Sequence, residues 1–203
     1  MRVFILALGL LLAACSRAEP TPEITTEAAS ELPWTMDEAH SRLSFISVKK
    51  GTIVEVHSFG ELTGDVAGDR LTVEIILDTV STGIDIRDTR MREHLFETNQ
   101  YPFAHIEALL QPDDYILMQM GEQRLVTQTV DVSMHGQSYS YDIPVVLTRL
   151  GVNKMQIQSA APIIVEVSDF RFETGIEKLR TLANLTSITS SVPVSFSLVF
   201  IRE

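Results

Sequence analysis

VPVSFSLVF, from Val192 to Phe200, is a segment in which the residues at even positions are all apolar. Ser195 and Ser197 fall between them on the opposite face. Because successive side chains of a β-strand point to opposite faces, this period of two predicts a strand with one buried face. A face of valine, phenylalanine and leucine has to pack against other elements of the same kind.

The same alternation recurs over residues 70–78, 139–147 and 161–167. Turn-forming residues, such as Gly64-Asp65 and Gly151-Val152-Asn153, separate the alternating segments at spacings of about 10–15 residues. Such spacings favour antiparallel hairpins over strand–helix–strand units. We therefore predict a mainly β domain that closes into an antiparallel barrel, because closure removes exposed strand edges.

Two short segments have the composition and periodicity of helices. In residues 85–95, Asp85 followed by Asp88 three positions later predicts a capped helix start with Asp85 as the N-cap. Arg87 and Asp88 lie side by side there, and capping with ion pairing explains them better than acid–base catalysis. Residues 175–185 place their apolar side chains on one helical stripe, which predicts a second short helix.

The N-terminus has the features of an exported lipoprotein. Arg2 is followed by an apolar run over residues 3–12, which is shorter than the about 20 residues that span a bilayer. Leu12-Ala13-Ala14-Cys15 then reads as a lipobox, with small residues before the cleavage point. We predict a signal peptide over residues 1–14 and lipidation of Cys15; the alternative is an ordinary secretory signal that leaves a free thiol.

A linker and one folded domain follow the signal peptide. Residues 16–33 contain three prolines and four glutamates but few residues to bury, a composition typical of flexible segments. We assign residues 15–33 to the lipidated cysteine and this linker, and residues 34–203 to a single domain with one core. The single cysteine excludes an intramolecular disulfide, and the formal net charge of −11 argues against nucleic-acid binding.

One motif resembles that of a known family. Residues 80–88 read VSTGIDIRD and are followed by His94-Leu95-Phe96 and Tyr101-Pro102. This combination resembles the signature of the YceI-like family, in which Arg-Asp opens a short helix and Tyr-Pro begins the next strand. Residues 34–45, His135-Gly136 and residues 192–200 resemble other strands of the family, so the resemblance covers residues 34–201.

The resemblance implies an extended, eight-stranded, antiparallel, lipocalin-like β-barrel with two short α-helices. Some members of the family hold a long polyisoprenoid, such as a quinone tail, inside the barrel. It therefore implies an isoprenoid or quinone-type lipid as the ligand and no other cofactor. The candidate ligand-binding residues are Phe45, Phe59, Val73, Ile75, Phe96, Phe103, Met118, Met120, Val165 and Phe170.

The same apolar residues can instead fill a solid core, as side chains do in many small barrels. From the residues alone, plain packing is the simpler interpretation, and the resemblance to the family is what favours a ligand. A solid core would suit a structural or protein-interaction lipoprotein of the cell envelope.

The polar residues do not form a recognisable catalytic or metal-binding motif. The sequence contains no Gly-x-Ser-x-Gly, and Ser133 and His135 are ordinary neighbours on one strand face. No His-Glu-x-x-His or cysteine–histidine pattern occurs, so we predict no metal site and no enzymatic activity. We expect the protein itself to satisfy the hydrogen bonds of the histidines, which are His40, His57, His94, His105 and His135.

These features predict an envelope lipoprotein that binds, sequesters or carries a long apolar ligand in the barrel lumen. Its predicted partners are that apolar small molecule and a membrane, through the lipid on Cys15. Ser16, in place of an aspartate after the cysteine, favours the outer membrane of a bacterium, with the domain facing the periplasm.

Overall fold

The computed structural model describes residues 33–202. The predicted signal peptide, Cys15 and most of the predicted linker lie outside this range. The helices are α1 (Asp85–Met91), which continues as a π-helical segment (Arg92–Phe96), and α2 (Glu173–Leu182). The strands are β1 (Trp34–Met36), β2 (Arg42–Lys49), β3 (Ile53–Phe59), β4 (Leu62–Ala67), β5 (Arg70–Ile76), β6 (Val80–Ser81), β7 (Phe103–Leu109), β8 (Gln123–Met134), β9 (Gln137–Gly151), β10 (Lys154–Ser159), β11 (Ile163–Glu166) and β12 (Ser191–Ile201).

Eight of the strands form a closed ring. Neighbours pair in the order β1-β4-β5-β7-β8-β9-β10-β12, and β1 pairs in turn with β12. The ring closes where Thr35 lies opposite Ile201 and Met36 opposite Phe200, and every pairing in it is antiparallel. The predicted eight-stranded antiparallel barrel with two short helices is therefore confirmed.

The other four strands lengthen the barrel at one end. After a short 3-10 turn (Glu38–His40), β2 continues beside β12, β3 pairs with β2, and β6 pairs with β3. β11 pairs with the other edge of β12, beyond the point where the pairing of β10 with β12 ends. Ser41 bridges the interruption between β1 and β2, since its hydroxyl donates to the carbonyl of Asp37 and accepts the amide of Val199. The result is a barrel with one extended end.

Alternation along the strands places the apolar rows inside. In β5, Leu71, Val73 and Ile75 are buried, whereas Thr72 and Glu74 lie on the outer face. The predicted strand over residues 70–78 ends at Ile76, because the chain turns in a 3-10 segment (Leu77–Thr79) that buries Leu77 almost completely.

The two helices pack against each other at the extended end. A methyl group on Gly175 of α2 would lie 2.6 Å from the carbonyl oxygen of His94 and 2.9 Å from Cα of Leu95. Both are backbone atoms of the π-helical segment, so only glycine permits this close approach. No helix within residues 33–202 is long and apolar enough to cross a bilayer.

The predicted N-cap of α1 is wrong. Ile84 holds the cap position in an extended conformation, and Asp85 is the first helical residue without a capping bond. The carboxylate of Asp88 instead reaches back and accepts hydrogen bonds from the amide and the hydroxyl of Thr82. The helix begins at Asp85 itself, one residue earlier than an N-cap at Asp85 would allow. Asp88, in the first turn, links the helix to Thr82 in the preceding loop.

This geometry predicts different effects for the two aspartates. We expect Asp88→Ala to lower the free energy of unfolding by about 1–2 kcal/mol, because it leaves the partly buried Thr82 groups without their acceptor. Asp85→Ala, the matched control, should change it by less than about 0.5 kcal/mol, since it loses only an interaction with the helix dipole. Urea unfolding of both variants measures the difference, and equal losses would contradict the assignment.

Candidate functional site

The barrel encloses an elongated cavity of about 510 Å³. Trp34 and Tyr115 line one end, and Arg87 and Ile188 line the other, beneath the helices. Almost every strand contributes its inward row of Val, Ile, Leu, Phe and Met to the wall. The inward rows of the strands therefore surround an apolar cavity.

Seven of the ten candidate ligand-binding residues line this cavity. They come from β2, β3, β5, the π-helical segment, β11 and the 3-10 turn that follows it (Val167–Phe170). The period of two places the five strand residues on this wall, whereas Phe96 and Phe170 reach it from the π-helical segment and the 3-10 turn. The seven residues are Phe45, Phe59, Val73, Ile75, Phe96, Val165 and Phe170.

The prediction that Phe103 and Met120 line the lumen is wrong. Phe103 is 37% exposed on the outer face of β7, where its ring lies 5.9 Å from that of His105. The inward row of β7 begins one residue later, at Ala104, which is buried and lines the cavity. Met120 is 73% exposed in the loop before β8, and Met118 is buried in the core without lining the cavity.

A chain of aromatic rings forms one wall near the extended end. The ring centroids of Phe45 and Phe59 are 5.4 Å apart, and those of Phe59 and Phe96 are 5.7 Å apart. Phe172 continues the chain, edge-on to Phe96 at 5.8 Å. Tilted and edge-to-face rings at these distances attract one another, so the ring contacts stabilise this apolar wall.

Polar side chains interrupt the apolar wall at the extended end. Lys49 of β2 and Arg87 of α1 both bind the same carboxylate oxygen of Glu55 on β3, at 2.8 and 2.7 Å. All three line the cavity. The hydrogen bond from Lys49, with that from Arg87, holds the pKa of Glu55 below its usual value, although burial opposes both. Arg87 also donates to the carbonyl of Thr82 and so joins α1 to the barrel.

His57 lies beside this ion pair and is only 3% exposed. Its Nε2 is 2.8 Å from the hydroxyl of Ser47, and its ring packs against Phe45 at 5.2 Å between centroids. Burial, and after it the charge of Arg87, lowers the pKa of His57, so the ring is neutral at pH 7. Within residues 33–202, Nδ1 of His57 and Nε of Arg87 are the buried side-chain nitrogen or oxygen atoms without a hydrogen-bond partner.

The polar cluster, defined here as Ser47, Lys49, Glu55, His57 and Arg87, was not predicted from the sequence. The expectation that His57 is satisfied by the protein holds for one ring nitrogen and fails for the other. The sequence contained one signal for this cluster, the period of two along a strand. Residues 55, 57 and 59 must share the inward face of one strand. Arg87 pairs with Glu55 rather than with its neighbour Asp88, which only the packing of α1 against β3 reveals.

The opposite end of the cavity has polar side chains with protein partners. The hydroxyl of Tyr115 donates to the carbonyl of Gly68 at 3.2 Å, and burial raises the pKa of Tyr115. The side-chain amide of Gln128 donates to the carbonyls of Leu109 and Thr129. The two ends of the cavity therefore differ in their unused hydrogen-bonding capacity.

Other candidate chemistry does not assemble at the cavity. The hydroxyl of Ser133 bonds to Ser138, while the ring of His135 bonds to Glu97 and to the carbonyl of Phe170. Residues 33–202 contain no group of three or more metal-binding side chains that could hold an ion.

The YceI-like domain model matches residues 34–200 of the sequence. The chain belongs to the YceI-like family. A polyisoprenoid-binding domain from Saccharophagus degradans, implicated in plant cell wall breakdown, shares 33% identity with a TM-score of 0.83. That alignment covers 85% of this chain and 99% of the other. No curated protein matches the chain.

Two more distant neighbours support the fold alone. BcnA from Burkholderia cenocepacia is 15% identical with a TM-score of 0.61, over 81% of this chain and 98% of its own. The YceI protein of Campylobacter jejuni is 14% identical with a TM-score of 0.51, over 72% and 84% of the two chains. The family-model match over residues 34–200 confirms the family resemblance stated from residues 80–88.

Proposed function

We propose that this YceI-like domain binds one long apolar lipid of the isoprenoid class in its barrel and sequesters or carries it. The observation that carries the proposal is the apolar cavity of about 510 Å³, at one end of which His57 and Arg87 have buried side-chain nitrogens without a hydrogen-bond partner in residues 33–202. Cavities of this size bury most of a small ligand and use a few polar groups to orient it. The Saccharophagus degradans relative, which is described as polyisoprenoid-binding, supports the choice of ligand class.

The physical chemistry of the wall suits such a ligand. Each methylene transferred from water to an apolar site gains about 0.8 kcal/mol, and ordering the chain offsets part of that gain. The binding of a long branched hydrocarbon therefore remains favourable after this ordering cost. A binding protein needs no catalytic group, so we propose binding rather than an enzymatic activity.

Lipid extraction tests this function. The domain is purified natively without detergent, extracted with organic solvent, and the extract is quantified by mass spectrometry against protein. We expect a near-stoichiometric isoprenoid lipid, and reloading of the extracted protein by an isoprenoid quinone. An empty extract, with no later uptake of isoprenoid quinones or fatty-acid derivatives, would refute the carrier in favour of a scaffold or protein-interaction role.

We further propose that a lipid on Cys15 tethers the domain to the bacterial envelope, on the periplasmic side of the outer membrane. Cys15 closes a lipobox, and the acidic linker of residues 16–33 would hold the barrel off the bilayer. Two or more acyl chains suffice for stable anchoring, since each buried methylene contributes about 0.8 kcal/mol. The ligand of the barrel would then share the membrane environment of its carrier.

Cys15→Ser tests the tether. We expect the variant to fold normally but to leave the membrane fraction, because no acyl chain holds it there. Sucrose-gradient fractionation locates the wild type, and mass spectrometry of its N-terminal peptide detects the lipid. A wild-type protein that washes off in high salt, or an N-terminal peptide without lipid mass, would contradict the proposal.

A further inference from the structure

The end of the barrel opposite the helices is the end at which the predicted linker joins the domain. Trp34, the first residue of β1, lies there beside three loops, which are residues 68–69, 110–122 and 151–153. Backbone hydrogen bonds hold the longest loop in place, since the amide of Leu110 donates to Asp69 and that of Gly121 to Arg149. Trp34 and these three loops are termed the linker end below.

The four most exposed large apolar side chains of residues 33–202 lie at the linker end. Met120 is 73% exposed, Val152 is 72% exposed and Leu117 is 67% exposed, all three in the loops. Leu125, on the outer face at the start of β8, is 69% exposed. Apolar side chains that are exposed singly are ordinary on a protein surface, whereas a group of them marks a contact with a protein or a membrane.

The loop of residues 110–122 joins this exposed group to the cavity. Leu110 and Tyr115 line the cavity from this loop, whereas Leu117 and Met120 face the solvent. Met118, between the two exposed residues, is buried in the core and anchors the loop to the barrel. A partner that contacts Leu117 and Met120 therefore contacts the segment that closes the cavity at this end.

The position of the group favours a lipid bilayer as its partner. Residues 16–33 connect Trp34 to Cys15, and 18 residues span at most about 60 Å. The proposed lipid on Cys15 thus keeps the linker end closer to the membrane than the helices. Exposed leucine, methionine and valine side chains can enter the boundary between the headgroups and the acyl chains, where their burial is favourable.

The charges at the linker end are of both signs. Arg124 pairs with Glu122 at 2.7 Å, and the loops contain three aspartates. The guanidinium groups of Arg149 and Arg202 lie 5.4 and 4.6 Å from the ring centroid of Trp34. Since the whole chain has a formal net charge of −11, attraction to anionic lipids cannot drive binding. A zwitterionic bilayer, bound through apolar side chains, fits this end.

We propose that the linker end docks on the bilayer surface, with Leu117, Met120 and Val152 inserted among the lipid headgroups. This inference rests on the proposed tether and deepens it, because it gives the tethered barrel a fixed orientation. The helices then point away from the membrane, and the loop of residues 110–122 lies between the bilayer and the cavity.

A spin label at the linker end tests the orientation. Lipidated full-length protein is reconstituted on vesicles of phosphatidylcholine and phosphatidylethanolamine. Because the lipid occupies the chain's single native cysteine, Gln119→Cys can be labelled selectively with a nitroxide in the exposed loop. Thr174→Cys, exposed on α2, is the matched control at the opposite end. We expect vesicles to shield the label at position 119, but not that at 174, from a water-soluble nickel chelate.

Removing the apolar side chains tests which residues cause docking. The triple variant Leu117→Ser, Met120→Ser and Val152→Ser carries the Gln119→Cys label. Burial of one such side chain supplies a factor of about ten, so the ratio of docked to undocked protein should fall on the order of 100-fold or more. Sedimentation with the vesicles should persist through the lipid on Cys15. Val54→Ser with Val56→Ser, exposed at the extended end, is the matched control and should leave docking unchanged.

Several results would overturn the proposal. A wild-type protein that sediments with vesicles while both labels stay equally accessible to nickel hangs freely on its linker, so docking fails and the tether stands. Shielding at position 174 alone places the helices on the membrane. Shielding at 119 that persists in the triple variant contradicts the assigned side chains. If the wild type does not sediment, the tether fails together with this inference.

Discussion

Ile75→Lys should abolish lipid retention and lower the free energy of unfolding by about 4 kcal/mol. Ile75 is 6% exposed, lies opposite Leu62 on β4 and Ala104 on β7, and lines the cavity. A lysine there places an ammonium group on an apolar wall, where water cannot solvate it. The barrel then either distorts or admits water, and both exclude an apolar ligand.

Thr72→Lys is the matched control, since it introduces the same charge on the same strand but on the outer face. The register places Thr72 opposite Asp65 and Glu107, two carboxylates that a lysine can approach. Thermal unfolding and lipid extraction are measured for both variants. Equal stability and equal lipid content in the two would contradict the inward orientation of the Ile75 row.

The second large effect is expected from Ala104→Phe, which separates a ligand-binding lumen from a solid core. Ala104 is 1% exposed and lines the cavity beside Ile75. A benzyl group there would occupy space that the ligand needs, so we expect lipid content to fall at least tenfold. Because the added ring is apolar and Ala104 borders the cavity, stability should stay within about 1 kcal/mol of the wild type or rise.

A solid core predicts the opposite change in stability. Overpacking a filled interior costs about 1–3 kcal/mol, and a protein without a ligand has no lipid to lose. His105→Phe, one position further along β7, places the same phenyl ring on the outer face of the barrel and serves as the control. A strongly destabilised Ala104→Phe with an empty wild-type extract would favour the scaffold function.

The strands could be predicted because one local property specifies them. In β5 every second residue from Leu71 to Ile75 is apolar, and in β12 every second residue from Val192 to Phe200 is apolar. Each strand therefore shows its inward face without knowledge of any other strand. The two helices were located for the same reason, although their ends moved by one to four residues. Helix ends depend on single hydrogen bonds, such as that from Thr82 to Asp88, which periodicity does not show.

The wall of the cavity could be predicted only in part. Phe103 was assigned to the lumen because it is large and apolar, but the row of β7 that faces inward consists of Ala104, Ile106 and Ala108. Alanines give only a weak alternation of hydrophobicity along the sequence. The inward face of β7 is set instead by its pairing with β5. Size and hydrophobicity alone therefore misplace a residue wherever the inner row is made of alanines.

Composition and alternation by themselves determined that this chain forms an antiparallel β-structure with an apolar inner face, and the motif of residues 80–88 indicated its family. These properties are local, since each depends on neighbours a few positions apart. Only the tertiary structure decided that the inward rows surround a cavity and that Lys49, Glu55, His57 and Arg87 come together at one end of it. His57 and Arg87 are 30 positions apart in the chain, and the packing of α1 over β3 is what leaves both with an unpaired buried nitrogen.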